Sequence, residues 1–295
     1  MPVSDLSARP AAAAARRTVP NLLSIAGTDP TGGAGIQADL KSFAAHRGYG
    51  MSVVTALVAQ NTEGVRGIHL PPVEFLRDQL DAVSDDVAID GVKVGMLGTA
   101  EIIETVAAWW DELIGSADAQ APVLVVDPVM VATSGDRLLH EEAESALIGF
   151  LHRADLITPN VPELALLAGS EPAAGTDELV LQARQVADAH HVLVLAKGGH
   201  LLDASVTDIL VHPLDDADRR PADQQFRSPR VETANTHGTG CSVSAALTAL
   251  RARGHTWVQS VSLVKAWMTS SLRASESLDV GRGHGPIHHF ADLWT

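Results

Sequence analysis

Short apolar segments alternate with longer amphipathic ones along most of the chain. The short segments are rich in valine, leucine and isoleucine, and each of them predicts a buried β-strand. The longer segments repeat apolar residues every three or four positions, which is typical of helices that cover a sheet. Strands that alternate with helices in this way predict an α/β fold, with a mostly parallel central sheet and helices on both faces.

The apolar pattern also gives approximate bounds for these elements. The predicted strands are residues 22–26, 50–59, 89–94, 123–126, 156–158, 192–196, 206–212 and 225–231. The predicted helices are residues 36–46, 73–83, 100–113, 141–151, 162–167, 177–190, about 240–254 and 257–277. Ligands of such folds bind beyond the carboxyl ends of the strands. Polar residues and glycines stand at those ends, namely Gly27, Gln60, Gly95, Asp127, Asn160 and Lys197.

Composition narrows the classes of function. Residues 1–19 lack the alternation of apolar and amphipathic segments and are predicted to be a disordered extension, so that residues 20–295 form a single domain.

The net charge of −15, without a long basic run, argues against binding to nucleic acid or to an anionic membrane surface. A single cysteine excludes an intrachain disulfide and fits a reducing cytoplasm. His284, His288 and His289 lack the cysteine or carboxylate pattern that would support a metal site.

A glycine turn, His237-Gly-Thr-Gly240, precedes the single cysteine, Cys241, where an amphipathic helix is predicted to begin. Free N–H groups at a helix N-terminus, next to glycines that carry no Cβ, make a binding site for an anion such as phosphate. The same position is expected to lower the pKa of Cys241, because it favours the thiolate. A tight turn before a core helix, with a small buried residue at position 241, explains the same residues equally well.

Other strand ends carry further candidates. Gly32-Gly-Ala-Gly35 precedes a helix with Asp39 one turn inside, so this loop could wrap a ligand or only turn the chain. Gln60 and Met96 follow two strands, where their ordinary roles are capping the backbone and filling the core. Lys197 ends another strand, where it could be solvated or could neutralise a phosphate as a point charge.

Acidic residues follow two neighbouring strands. Asp127 ends one predicted strand, and Asn160 and Glu163 follow the next. Asn160 and Glu163 have the N-cap and N3 spacing of a capping box. Asp127 and Glu163 could instead hold Mg²⁺, directly or through water, because this ion prefers one or two carboxylates, phosphate oxygens and retained waters. The spacing leaves both interpretations open.

Two of these segments resemble the signatures of a known family. Asn235-Thr-His-Gly-Thr-Gly-Cys241, and residues 26–40 around the first glycine run, are similar to segments of the hydroxymethylpyrimidine/phosphomethylpyrimidine kinases of thiamine biosynthesis. The resemblance covers roughly residues 21–290 and implies a ribokinase-like fold. It implies ATP- and Mg²⁺-dependent phosphorylation of 4-amino-5-hydroxymethyl-2-methylpyrimidine and then of its monophosphate. We expect a cytoplasmic homodimer whose ligands are these small molecules.

The resemblance also implies roles for individual residues. The catalytic group would be Gly238, Thr239, Gly240 and Cys241, with the backbone amides as an anion hole and Cys241 as the candidate general base. The pyrimidine site would comprise Gly27, Asp39, Gln60, Met96 and Val129. An aspartate and an amide suit an aminopyrimidine, which offers an exocyclic donor beside ring acceptors. The nucleotide would meet Asn160, Lys197 and His237, and Mg²⁺ would meet Asp127 and Glu163.

Other functions and roles stay open at this stage. A pyridoxal-type vitamin kinase would also act on a hydroxymethyl heteroaromatic compound, although Asp39 and Gln60 favour the aminopyrimidine. A non-catalytic pyrimidine-binding regulatory protein would keep the pocket, but Lys197, Glu163 and the glycine turn argue against it. Related sugar kinases have aspartate where this chain has Cys241, so the thiol could position the acceptor hydroxyl instead of removing its proton.

Overall fold

A computed structural model describes residues 17–115, 121–130, 139, 141–214 and 221–294. The strands in these ranges are β1 (Asn21–Gly27), β2 (Tyr49–Asn61), β3 (Gly64–His69), β4 (Gly91–Val94), β5 (Val123–Val126), β6 (Leu156–Ile157), β7 (Leu193–Ala196), β8 (Ser205–Val211) and β9 (Gln224–Pro229). They form one sheet in the order β3-β2-β1-β4-β5-β6-β7-β8-β9. Of the predicted extension, residues 1–16 lie outside the described ranges.

The centre of the sheet is parallel and its edges are antiparallel. β2, β1, β4, β5, β6 and β7 run in one direction, while β3 at one edge and β8 and β9 at the other complete the sheet with antiparallel pairs. The register places Ile25 of β1 between Val53 of β2 and Val94 of β4. All three side chains are fully buried, as parallel strands covered on both faces require.

The helices cover both faces of this sheet. They are α1 (Gly35–Ala45), α2 (Val73–Ser84), α3 (Ala100–Gly115), α4 (Glu144–Leu151), α5 (Val161–Ala168), α6 (Thr176–His190), α7 (Thr239–Ala252) and α8 (Trp257–Arg273). Helices α2 to α6 share one apolar core with the sheet, and α1, α7 and α8 pack on the opposite face. Val125 and Val126 point into different cores, as the alternation along a strand dictates. The predicted α/β class is confirmed.

Strand β3 is absent from the predicted elements. Its six residues include two glycines, and most of its length is exposed at the edge of the sheet. A strand that buries little apolar surface carries no alternating pattern, so its pairing with β2 could not be inferred from local sequence. Two predicted helices are also shorter than expected, because residues 141–143 and 275–278 form 3₁₀ turns beside α4 and α8.

Helix α7 differs most from its prediction, because it is buried around most of its circumference instead of along one face. Its polar residues are satisfied within the helix. Ser242 Oγ donates to Gly238 O (2.8 Å), Ser244 Oγ to Gly240 O (3.1 Å), and Thr248 Oγ1 to Ser244 O (2.9 Å). Such bonds to the preceding turn let hydroxyl groups be buried without an unpaired donor. Helix α7 is therefore central to the fold.

Candidate active site

A cavity of about 540 Å³ lies where the parallel strands end. The structure brings almost every predicted site residue to its wall. The residues so placed are Gly27, Gln60, Met96, Asp127, Val129, Asn160, Glu163, Lys197, His237, Gly238, Thr239, Gly240 and Cys241. Asp39 is the exception. The cavity therefore joins the two glycine-rich segments, which are about 200 residues apart in sequence.

The glycine turn closes one side of the cavity at the N-terminus of α7. Gly238 is the N-cap and has a φ of 77°, a conformation that favours glycine. A Cβ atom at Gly240 would lie 3.1 Å from Lys197 Nζ and 3.4 Å from Asp127 Oδ2. The first amides of a helix have no partner within the helix and carry a partial positive charge. Thr239 N donates to Thr236 O (3.3 Å), and the amides that follow it lie beside an ammonium group, which suits a phosphate.

Two opposite charges lie beneath this turn. Asp127 Oδ1 accepts hydrogen bonds from Lys197 Nζ (2.8 Å) and Thr158 Oγ1 (2.8 Å). Burial acts to raise the pKa of Asp127, but the positive charges of Lys197 and Lys93 outweigh it and lower the pKa. Burial acts to lower the pKa of Lys197, and the charges of Asp127 and Glu163 outweigh it and raise the pKa. Both groups are therefore ionised at neutral pH.

Asn160 and Glu163 form the capping box of α5 and also line the cavity. Glu163 Oε2 accepts from Asn160 N (2.8 Å), and Asn160 Oδ1 accepts from Glu163 N (3.0 Å). Burial raises the pKa of Glu163 to about 7, with Lys197 opposing the shift and Asp127 adding to it. The capping role is thus present, and it leaves the side chain beside Lys197 and Asp127.

The opposite side of the cavity is apolar. Met96 packs with Ala56, Val58 and Val129. A Cβ atom at Gly27 would lie 3.1 Å from Met96 Sδ, so glycine widens the cavity at this point. Gln60, which ends β2 together with Asn61, brings a side-chain amide to the same wall. This half can hold a flat, largely apolar ring and offer it one amide group.

Asp39 does not reach the cavity, in contrast to its predicted contact with a pyrimidine. Its side chain is fully buried, and its Oδ2 accepts from Ser24 Oγ (2.6 Å) and Lys93 Nζ (2.9 Å). Lys93, from the middle of β4, lines the cavity in its place. Burial acts to lower the pKa of Lys93, but the Asp39 carboxylate outweighs it and the pKa is raised. Asp39 therefore holds a buried cation at the base of the cavity.

Cys241 is partly buried on the cavity wall, and the prediction of a lowered pKa was wrong. Burial raises the pKa of the thiol to about 11, and the negative charges of Asp39 and Asp127 add to the rise. Lys93 and the Gly35 backbone N–H act in the opposite direction but do not balance it. Cys241 is therefore a neutral thiol at physiological pH.

The far end of the cavity is formed by α7, α8, β8 and β9. Its apolar lining residues include Val206, Val231, Val243, Val264, Met268 and Leu272. Lys265 Nζ lies 2.6 Å from Asp208 Oδ2 at this end, and Asp208 Oδ1 accepts from Gly198 N (3.0 Å). The apolar surface suits a stacked base, and the ion pair holds the loop that follows Lys197.

The described ranges contain neither a cluster of metal-ligating side chains nor a membrane-spanning helix. The residues described include no group of three His, Cys, Asp or Glu side chains placed to hold a metal ion, and this covers His284, His288 and His289. None of the helices seen in those ranges combines the length and the hydropathy that a membrane crossing requires.

Comparison with known proteins decides the family. The sequence matches the family model for phosphomethylpyrimidine kinase over residues 29–288. The hydroxymethylpyrimidine/phosphomethylpyrimidine kinase of Salmonella typhimurium is 46% identical over 275 residues, which make up 93% of this chain and 98% of that protein. The chain belongs to the phosphomethylpyrimidine kinase family.

Further relatives extend this result. The thiamine biosynthesis multifunctional protein ThiED of Corynebacterium efficiens is 47% identical over 92% of this chain, which spans only 35% of that longer protein. The phosphomethylpyrimidine kinase structure from Clostridium difficile 630 has a TM-score of 0.70 at 35% identity and covers 84% of this chain and 97% of its own. An ADP complex of Bacillus subtilis pyridoxal kinase has a TM-score of 0.79 at 30% identity, with coverages of 94% and 100%. The fold is ribokinase-like.

Some cavity residues of this family member could not be found from its sequence. The apolar residues of α7 and α8 are indistinguishable from ordinary core positions. Lys93 offered a weak signal, since it is a charged residue within the apolar segment Gly91-Val-Lys-Val94. Asp29 belongs to the first signature, but nothing in its spacing showed that it would contact His237, as it does at 2.8 Å.

The raised pKa of Glu163 gives a prediction for stability. The carboxyl group titrates near pH 7 in the folded chain, and at about 4.3 when unfolded. A pKa that is higher in the folded state stabilises that state. This stabilisation is fully present below the pKa of the unfolded chain, and it is lost as the pH rises through about 7. Without Mg²⁺, the free energy of unfolding of the native sequence should therefore fall between pH 5 and pH 8. Glu163→Gln lacks this titration, so its free energy of unfolding, relative to that of the native sequence, should rise by about 1–3 kcal/mol over the same interval.

Urea denaturation at the two pH values measures this difference. Glu178→Gln is a matched control, because Glu178 also accepts a backbone N–H, from Ala174 (2.8 Å), but is exposed. The glutamine at position 163 can keep the capping bond. A difference between Glu163→Gln and the native sequence that does not change with pH would contradict the raised pKa.

The single cysteine allows a direct test of its protonation. With a pKa of about 11, the rate of alkylation of Cys241 by iodoacetamide should be low at pH 7. It should rise about tenfold per pH unit up to pH 10, because the thiolate is the nucleophile. The same chain in urea is the control, with a rate that levels off above a thiol pKa of about 8.5. If the alkylation rate of the folded protein levels off below pH 8, Cys241 has a lowered pKa and is a reactive thiolate near neutral pH.

Proposed function

We propose that this chain transfers the γ-phosphoryl group of ATP to 4-amino-5-hydroxymethyl-2-methylpyrimidine, and then to its monophosphate, for thiamine biosynthesis. The observation that carries this proposal is the composition of one cavity. A phosphate-binding turn at Gly238–Cys241 and the Lys197 ammonium group share it with an apolar pocket that includes Gln60. Relatives that bear the corresponding name and are 46% identical over nearly their full length support the choice of substrate.

In this proposal the two substrates lie end to end in the cavity. The apolar surface of α7 and α8 receives the adenine base, and Lys197 and Asn160 lie beside the phosphates. The pyrimidine ring lies against Met96 and Val129, with Gln60 bonded to its polar edge. The hydroxymethyl group then points towards Cys241 and the glycine turn, in line with the γ-phosphate. Holding the two reactants in this way supplies much of the rate enhancement of a phosphoryl transfer.

The backbone amides of the glycine turn stabilise the charge of the transferred phosphoryl group. They are fixed in place before the reaction, since Gly238 is buried and α7 is packed into the core from Ser242 onward. Lys197 adds a positive charge close to Gly240. Together these groups stabilise the transition state, because its charge is spread over the equatorial oxygens that face them.

Cys241 orients the acceptor instead of acting as a strong base. Its thiol is protonated at neutral pH, given a pKa of about 11. A neutral thiol can accept or donate a weak hydrogen bond to the acceptor hydroxyl. Because phosphoryl transfer passes through a loose transition state, the hydroxyl proton need not be removed before the phosphorus is attacked.

Asp127 and Glu163 fit a Mg²⁺ site. Asp127 Oδ1 is occupied by Lys197 and Thr158, whereas Oδ2 points towards Gly240 of the glycine turn. Two carboxylates next to a phosphate site match the preference of Mg²⁺ for few protein ligands, several waters and phosphate oxygens. When bound, the ion would neutralise phosphate charge. The protein groups that would hold it are Asp127, directly or through water, and Glu163 in its ionised form.

The proposed assembly is a cytoplasmic homodimer. The single cysteine is in keeping with a reducing compartment. Tyr49, Leu57 and Ile68 of β2 and β3 are 61%, 52% and 42% exposed, at an edge of the sheet that could pair with a second copy.

Light scattering should give twice the mass of 31.0 kDa. Leu57→Asp should halve that mass, whereas Leu181→Asp, at an exposed position on α6, should not; a dimer that survives Leu57→Asp would place the interface elsewhere.

A kinase assay with three candidate acceptors tests the proposed function. The purified chain is incubated with Mg²⁺-ATP and either the pyrimidine, its monophosphate or pyridoxal, and products are identified by ³¹P NMR. Pyridoxal is the second candidate substrate, because the fold matches pyridoxal kinase with a TM-score of 0.79. We expect conversion of the pyrimidine to its pyrophosphate in two steps. Turnover of pyridoxal alone, or of none of the three compounds, would overturn the proposal.

Gln60 offers a test of the pyrimidine half. Gln60→Leu should weaken pyrimidine binding about 5- to 100-fold, because polar groups of the bound ring lose their partner in a closed site. The affinity for ATP should stay within about twofold. Calorimetric titration measures both affinities, and Gln225→Leu, at an exposed strand position outside the cavity, is the matched control. Unchanged affinity for the pyrimidine would remove Gln60 from the site.

A further inference from the structure

The N-terminal glycine loop, residues 27–35, is organised around one buried carboxylate. Asp29 is fully buried and accepts five hydrogen bonds. Four donors belong to the same loop, namely Thr31 N (2.9 Å), Thr31 Oγ1 (2.7 Å), Gly33 N (3.0 Å) and Ala34 N (2.8 Å). The fifth is His237 Nε2, at 2.8 Å. The carboxylate thus fixes its own loop and reaches across to the glycine turn.

The protonation of the pair follows from these contacts. Burial acts to raise the pKa of Asp29, but the hydrogen bonds from His237, Thr31 and Ala34 outweigh it and lower the pKa. A carboxylate offers no proton, so His237 Nε2 must carry the hydrogen of this bond. The ring nitrogen nearest to Asp29 is therefore committed to it, which leaves Nδ1 for the nucleotide contact first expected of His237.

The backbones of the two segments are in direct contact at this point. A Cβ atom at Gly33 would lie 2.6 Å from His237 Cδ2 and 3.0 Å from Pro286 Cβ. A Cβ atom at Gly238 would overlap the Gly33 carbonyl oxygen. A side chain at Gly238 would push the two backbones apart, and one at Gly33 would displace the His237 ring. The bond between His237 and Asp29 lies beside this contact and acts across the same boundary.

The glycine turn is also held from a second side. His237 N donates to Gly285 O (3.1 Å), from the C-terminal segment. That segment in turn binds the end of β2, since Gly283 N donates to Thr62 Oγ1 (3.1 Å) and His284 N to Thr62 O (2.9 Å). Thr62 is two residues beyond Gln60. The backbone of His237 is therefore tied to the pyrimidine side of the cavity through a separate route, while its imidazole ring is tied through Asp29.

We propose that His237 is a positioning residue, whose bond to Asp29 sets the distance between the anion-binding amides at Gly238–Cys241 and the N-terminal glycine loop, which lines the acceptor side of the cavity through Gly27. The inference rests on the proposed function and deepens it. Phosphoryl transfer requires the acceptor oxygen to lie in line with, and close to, the phosphorus atom. A displacement of about 1 Å between the two halves can cost about 10²-fold in rate while leaving binding to each half intact.

The test compares substitutions at position 237. His237→Ala should lower kcat about 10- to 100-fold with either acceptor, because the turn can drift from the loop. The KM for ATP and for the pyrimidine should stay within about threefold. His237→Gln should recover most of the lost rate, since a glutamine amide can place an N–H near the position of Nε2. His237→Asn, which is too short to do so, should not. His152→Ala is the matched control, as its imidazole is exposed and contacts Arg153 outside the cavity.

A second readout does not depend on turnover. Amide hydrogen exchange of residues 238–242 should be at least about tenfold faster in His237→Ala than in the native protein, and unchanged in His152→Ala. If the native protein phosphorylates neither pyrimidine, the proposed function fails, and the exchange rates still decide whether His237 fixes the turn. A rise in the KM for ATP without loss of kcat would make His237 a nucleotide ligand and overturn the inference. Native kcat and native exchange in His237→Ala would overturn it as well.

Discussion

The contact between two glycine-bearing backbones is the constraint on which the cavity depends. Gly238 can lie against the Gly33 carbonyl only because it has no Cβ and adopts a positive φ. This contact brings the N-terminus of α7 to the end of β1, although the two segments are about 200 residues apart in sequence. Because α7 is buried and its hydroxyl groups are satisfied within the helix, the turn has little freedom to move away. A rigid helix N-terminus next to a rigid loop follows from these local facts.

A second constraint is the balance of buried charge beneath the cavity. Lys93 and Asp39 form one ion pair, and Lys197 and Asp127 form another. Removing one partner of such a pair costs about 3–5 kcal/mol, because the other charge is left buried and uncompensated. Glu163 adds a carboxyl group with a pKa near 7, so the floor of the cavity is close to neutral without it and negative once it ionises. A site of this kind has room for positive charge next to Asp127 and Glu163, which agrees with the proposed place of Mg²⁺.

Features that depend on a local pattern of residues could be predicted from the sequence. Features that depend on contacts between distant segments could not. Apolar segments such as Val123–Val126 gave the strands and their order of alternation, and the two signatures gave the cavity wall. Asp39 could not be placed from sequence, because its direction depends on Lys93 of a neighbouring strand. The pKa of Cys241 was predicted in the wrong direction, since helix position is a local property whereas burial near Asp39 and Asp127 is not. Strand β3 escaped detection because an exposed edge needs no apolar pattern.

On the proposed function, the neutral thiol of Cys241 has a consequence for the second phosphorylation. In the first step the acceptor is an uncharged hydroxyl, and either a thiol or a carboxylate could orient it. In the second step the acceptor is a phosphate, which carries negative charge into the same place. An aspartate at position 241, as in the related sugar kinases, would add a third carboxylate to the charges of Asp39 and Asp127 that already raise the pKa of the thiol. Like charges at short range repel strongly in a buried site. On the proposed function, a cysteine at the start of α7 therefore permits an anionic acceptor where an aspartate would oppose it, and the buried Lys93 supplies positive charge close by.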